Sequence, residues 1–197
     1  MSEKNFKVFV DFGSSKIRLG IFNQNNLKNI ITLEEKCISN FDKKNFNIDN
    51  SKEVIKNLIK SAEKRIDNHI NKINLMIDTP DMFSIDISLK KNFDTKKNIQ
   101  EDIQSILQEA KNIVQKNYFN KKIIHMIVKK YFFDEKKFYQ VPEEKLDYKS
   151  LILEIKFIII SKEIWKKLEN SFNKNYLTIE TVYCSSYARS ANYNKSF

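Results

Sequence analysis

The sequence predicts an α/β chain in two parts, and three observations carry that expectation. The first is a pair of apolar strand patterns near the start, residues 7–12 and 16–22, joined by Gly13, Ser14 and Ser15. The second is an amphipathic stretch over residues 51–70, with apolar residues at helical spacing. The third is a block over residues 80–176 in which strand patterns surround a second helix. Only 2 Gly and 2 Pro occur in 197 residues, so long regular elements with few breaks are expected.

Taken in order, residues 7–12 read as a buried strand, and Ile17, Leu19 and Ile21 share one face of the strand after it. A third strand is expected around 27–37. Asn50 and Glu53 have the spacing of a capping pair. Val54, Ile55, Leu58, Ile59, Ala62 and Ile66 then line one face of the helix. Residues 73–77 read as a short strand, and Thr79-Pro80-Asp81 breaks it. Phe83, Ile85, Ile87 and Leu89 alternate in the next strand. A helix over 95–116 presents Ile99, Ile103, Ile106, Leu107, Ala110, Ile113 and Val114. Strands near 122–133 and 150–161 flank the polar loop EEKLDYKS. Ser161 suits the cap of a third helix, with Ile164, Trp165, Leu168 and Phe172 inward. A strand over 177–183 and one or two turns of helix finish the pattern. The breaks give one part over residues 1–79 and 177–197 and another over 80–176.

The formal net charge is +10, from 35 basic and 25 acidic residues. Such a balance permits nucleic-acid or membrane-surface binding. The lysines are spread along the chain, as an AT-rich coding sequence produces, and form no basic stripe interleaved with aromatics. No nucleic-acid partner is therefore expected. Cys37 and Cys184 are far apart and belong to no CxxC or Cys/His cluster, so they read as reduced thiols rather than zinc ligands. The start of the chain carries no signal-peptide pattern, and the apolar run over 157–160 is too short to span a bilayer. A cytoplasmic protein is expected.

The isolated chemical candidates are weak. His125 sits in an apolar strand and reads as a structural histidine; His69 reads as surface. Glu34-Glu35 and Glu143-Glu144 are sequence neighbours, a poor arrangement for a glycosidase pair. Tyr131-Phe132-Phe133 and Trp165 read mainly as core. The informative segment is VFVDFGSSKIRLGIF. A strand delivers Asp11 to its carboxyl end, Gly13 permits a sharp turn, and Ser14 and Ser15 offer hydroxyl and N–H groups. Such a tip can wrap phosphate oxygens, Asp11 can hold hydrated Mg²⁺ through water, and Lys16 can add a cation. Spacing alone favours a plain turn.

The stretch D-F-G-S-S-K-I-R resembles the first phosphate motif of the actin and sugar-kinase superfamily, and Lys16-Ile17-Arg18 is most similar to the bacterial cell-division protein family FtsA. The segment IIHMIVKKYFFD over 123–134 is similar to a family segment in which His125, Tyr131 and Asp134 match in place. Val128 departs from it, standing where a proline is usual, and Asp78-Thr79-Pro80 stands where Ser-Gly is usual. The resemblance covers nearly the whole chain in order. It implies an incomplete actin-like (ribonuclease H-like) lobe with an inserted α+β strand–helix–strand–strand subdomain. It implies ATP and Mg²⁺ as cofactors at Asp11, Gly13, Ser14, Ser15 and Lys16. The family's second phosphate loop, of the D-I-G-G-G-T type, is not found in these 197 residues, so only half a site, binding nucleotide weakly or not at all, and no ATP hydrolysis by this chain are expected. The implied partners are the tubulin-like division ring protein and other division proteins, with self-association, at the inner face of the membrane and joined to it only indirectly. A PilM-like protein of type IV pilus assembly, and an ATP-binding piece of a longer actin-like ATPase, are the alternatives.

Overall fold

The computed structural model describes residues 6–13, 15–37, 41–42, 45–46, 51–93, 98–143 and 146–193. The chain divides into two units: residues 1–81 with 163–197, and residues 82–162.

The first unit opens with β1 (Phe6–Phe12), β2 (Lys16–Asn23) and β3 (Asn29–Lys36), an antiparallel meander. A small pair, β4 (Phe41–Asp42) and β5 (Asn45–Phe46), precedes helix α1 (Ser51–Ile66) and strand β6 (Lys72–Ile77). β6 runs parallel to β1, and the later strand β11 (Thr178–Cys184) runs parallel to β6. The sheet order is therefore β11-β6-β1-β2-β3. Alternation places Val8, Val10, Phe12, Ile17, Leu19, Ile21, Ile73, Leu75 and Ile77 in the core. Helix α1, which packs on β2 and β3, buries Ile55, Leu58, Ile59, Ala62 and Ile66.

The expected helix over 51–70 stops at Ile66. Asp67 adopts a left-handed backbone, and the Glu63 carboxylate accepts the N–H of Ile70, which turns the chain into β6. The expected cap Asn50 lies outside the described residues. On the sheet face opposite the core residues, the Phe9 ring meets Phe22 edge-on at 5.7 Å and lies 6.4 Å from Tyr183. Gly20, directly opposite Phe9, leaves room for the Phe22 ring: a Cβ there would stand 2.8 Å from it.

The second unit is built from β7 (Phe83–Asn92), α2 (Ile99–Asn117), β8 (Lys121–Phe133), β9 (Lys136–Phe138) and β10 (Ser150–Ser161). The strands form one antiparallel sheet in the order β7-β10-β8-β9. β10 supplies the centre: Leu151, Leu153, Ile155, Phe157 and Ile159 are fully buried and join Ile103, Ile106, Ala110 and Val114 of α2 in one cluster. Asn98 caps α2 by accepting the N–H of Gln100 at 3.1 Å. Phe133 joins the core beside Phe138 and Tyr148, while Tyr131 and Val128 pack against its margin.

Two polar groups lock this unit. Asp102 is 2% exposed, and its carboxylate accepts a 2.7 Å hydrogen bond from the Tyr148 hydroxyl. Asp134 adopts a left-handed backbone at the β8–β9 turn. Its carboxylate accepts the N–H groups of Lys149 and Ser150, at 3.1 and 2.9 Å, and the Ser150 hydroxyl. The match of Asp134 to the family segment thus falls on a structural clasp. β9 was not foreseen, because three residues carry too little alternation to read.

Helix α3 (Lys162–Asn173) follows β10 immediately, and α4 (Ser185–Tyr193) follows β11. The sequence reading put the third helix in the inserted part. Here it groups with the first unit, and its buried Trp165, Leu168 and Phe172 are absent from the second unit's core cluster. The boundaries are accordingly 81/82 and 162/163 rather than 79/80 and 176/177.

Two measurements probe the second unit. Tyr148→Phe leaves the buried Asp102 carboxylate one partner short, so denaturant unfolding is expected to show a loss of about 1–3 kcal/mol. The pKa of Asp134 is held below its ordinary value, first by the backbone N–H of Ser150. A depressed carboxylate contributes stability above its unfolded pKa, near 4, and loses it as pH falls through the folded value. Unfolding midpoints measured from pH 5 downwards are therefore expected to fall less steeply in Asp134→Asn than in the parent chain.

Candidate functional site

The carboxyl ends of the parallel strands lie together: Phe12 of β1 pairs with Ile77 of β6, and Ile77 with Cys184 of β11. In α/β sheets this is the edge where loops gather polar groups for a ligand. Two loops leave it here, at Gly13 and Asp78, and helix α4 starts directly at Ser185.

The hairpin register sets Asp11 opposite Arg18. Arg18 Nη1 lies 3.3 Å from Asp11 Oδ2, and its Nε donates to Glu34 Oε2 at 3.1 Å. Glu34 reaches this point because β2 and β3 place it opposite Arg18. Lys16 Nζ shares the same Glu34 oxygen, at 2.9 Å. Those two cations, Lys16 first, hold the Glu34 carboxyl below its ordinary pKa. The other Asp11 oxygen, Oδ1, accepts a 3.2 Å hydrogen bond from the hydroxyl of Ser185, the first residue of α4. Ser185 is buried, while about a quarter of the Asp11 side chain meets solvent.

The turn itself is tight. Gly13 N–H donates to the carbonyl of Lys16 at 3.2 Å, and a Cβ on Gly13 would approach that oxygen to 2.9 Å. A glycine is thus required by the turn alone. The Ser15 carbonyl accepts the N–H of Cys37 at 3.0 Å, which ties the tip to the end of β3. Ser14 lies outside the described residues. Just past β6, Asp78 pairs with Arg189 of α4 at 3.6 Å, and the buried Thr79 hydroxyl has no partner among the described residues.

Asp11, Gly13, Ser15 and Lys16 are therefore brought together at one strand end. Their polar groups are largely turned toward protein: Asp11 to Arg18 and Ser185, Lys16 to Glu34, and the Gly13 N–H to the turn. A phosphate would be received by Lys16 and Arg18 only in competition with Glu34. Because these pairs are exposed and screened by water, each is weak, and exchange for a phosphate is feasible. A hydrated magnesium ion would meet Asp11 through water, with Arg18 offsetting part of the carboxylate's charge. Among the described residues no three His, Cys, Asp or Glu side chains are grouped to bind a metal directly.

Other candidates resolve simply. His125 is half-buried, and burial lowers its pKa. His69 is exposed and pairs with Glu63. Cys37 and Cys184 are buried, unbridged thiols. Glu34 and Glu35 point apart on β3, while Glu143 is exposed and Glu144 lies outside the described residues. The sequence reading missed Ser185 and Glu34. Glu34 was accessible from strand alternation and the hairpin register; Ser185 carried no local signal.

No protein-family model and no curated protein matches the sequence. Solved structures do. A PilM–PilN type IV pilus biogenesis complex matches with a TM-score of 0.63 at 10% identity, over 92% of this chain and 48% of that one. The cytoplasmic domain of EpsL, an inner membrane component of the type II secretion system of Vibrio cholerae, matches with a TM-score of 0.42 at 6% identity, over 91% of this chain and 57% of that one. A Bacteroides thetaiotaomicron protein with an actin-like ATPase fold gives 0.34 at 10% identity, over 93% and 53%. The chain spans about half the length of each. At this identity the first match shows the fold alone, and the fold is an α/β actin-like lobe carrying an inserted strand–helix–strand–strand α+β subdomain.

Proposed function

We propose that this chain is an assembly module: an actin-like lobe whose inserted subdomain docks an extended segment of another protein, with nucleotide held weakly at the hairpin tip. The observation that carries this reading is the second unit's own construction. It has a separate core, and its edge strand β7 runs ten residues with no strand beyond it among the described residues. An edge of that length offers a row of backbone donors and acceptors that a partner strand can complete.

Two machines fit. The overall likeness to the PilM–PilN complex supports a type IV pilus assembly role, with a PilN-like peptide as occupant. Lys16-Ile17-Arg18 and the 123–134 segment support the FtsA-like reading, with the tubulin-like division protein as partner at the inner face of the membrane. We favour the pilus-type reading because the likeness spans 92% of the chain, whereas the division reading leans on short motifs, one of which falls on the Asp134 clasp. ATP hydrolysis by this chain is not part of the proposal.

Binding and hydrogen exchange test it together. Addition of a PilN-like cytoplasmic peptide, or of the tubulin-like protein, is expected to slow exchange of the β7 amides, residues 83–92. Protection confined to other segments would overturn the docking edge, and the partner that binds chooses between the machines. Calorimetric titration with ATP and Mg²⁺ is expected to give a dissociation constant no tighter than about 1 mM, and Glu34→Gln, which releases Lys16 and Arg18, is expected to tighten it. Sub-millimolar affinity in the parent chain would defeat the weak-site reading.

A further inference from the structure

The opposite end of the first unit's sheet holds a second polar depression, at the start of β1 and β6. It is a cavity of about 480 Å³ with Phe6, Lys7, His69, Lys72, Asn74 and Glu180 in its wall. That volume falls in the range of small-molecule sites, roughly 300–1,000 Å³. It lies far along β1 from the hairpin tip, since Phe6 and Phe12 mark the two ends of that strand.

A local irregularity shapes it. β11 follows β6 in register until Ile179 pairs with Ile73; Thr181 then pairs with Asn74, and Glu180 is left as the extra residue of a bulge. Bulges re-aim a side chain out of a ladder. Here the Glu180 carboxylate meets Lys72 Nζ at 3.2 Å. Beside the bulge, Asn74 is 7% exposed, an uncommon residue for the middle of a sheet. Its Nδ2 donates to the Val8 carbonyl at 3.3 Å, which fixes the amide and leaves Oδ1 without a donor among the described residues. The Lys7 ammonium also has no acceptor among the described residues.

The wall therefore combines a positive excess, Lys7 and Lys72 against Glu180, with an oriented carbonyl acceptor on a largely buried side chain and an aromatic ring. We propose that this cavity binds a small oxyanion-bearing polar molecule: Lys7 and Lys72 receive its carboxylate or phosphate, and Asn74 Oδ1 accepts a hydrogen bond from its body. The site is independent of the docking edge and of the hairpin tip.

The test uses the full chain labelled for nuclear magnetic resonance, titrated separately with inorganic phosphate, citrate and, as an ionic-strength control, sodium chloride. Amides of residues 68–74 and 180 are expected to shift saturably with phosphate or citrate, at a dissociation constant of about 1 mM. Lys7→Glu is expected to weaken binding at least tenfold, and Lys7→Ala to weaken it less. Preference for phosphate or for citrate assigns the oxyanion. Shifts that fail to saturate, that chloride reproduces, or that survive both Lys7 substitutions would overturn the proposal.

Discussion

Strand β1 is hydrogen-bonded on both edges, antiparallel to β2 and parallel to β6. That double pairing determines the side on which the other groups of the first unit lie. Val8, Val10 and Phe12 enter the core, so Phe9 and Asp11 must face the other way. A slip of one residue would drive Asp11 into the apolar layer and expel Phe12. The alternation also fixes the neighbours of Asp11: Arg18 directly across the hairpin, Glu34 one strand further, and Ser185 at the end of β11. The ion-pair chain at the tip is thus a consequence of core packing, although its own contacts contribute little energy in water.

The second unit solves a different problem. Its central strand β10 is buried along nearly its whole length, with β7 and β8 on its two edges and α2 across one face. Polar groups enter such an interior only with partners. Asp102 and Asp134 meet that condition in opposite ways, one through a single hydroxyl deep in the core, the other through backbone N–H groups at an exposed turn. Both join elements that the sequence separates widely.

Most elements were legible because their patterns are local. The β1–β2 hairpin, the apolar face of α1, the alternation of β7 and the apolar run of β10 all follow from residue spacing. Termination was harder: α1 stops at Ile66 because Asp67 turns left-handed, although the apolar spacing alone would allow more. The placement of α3 was not legible, since an amphipathic helix displays which face is apolar but not what covers it. The tip was half legible. Asp11, Gly13 and Lys16 stood out as a motif, whereas the Ser185–Asp11 contact joins residues 174 positions apart and leaves no trace in spacing.

The second unit is one unbroken segment, residues 82–162, while the first is split around it. β11 must find β6 and bring Thr178 beside Lys72 after the whole intervening segment has been made. Closing so long a loop carries a large entropic barrier unless the loop is already compact. The uninterrupted piece makes all its strand pairings within its own 81 residues, so it can condense first and shorten the effective tether. The five-stranded sheet would then be completed last, at its β11 margin, leaving Ser185 to reach Asp11 as one of the final contacts made during maturation.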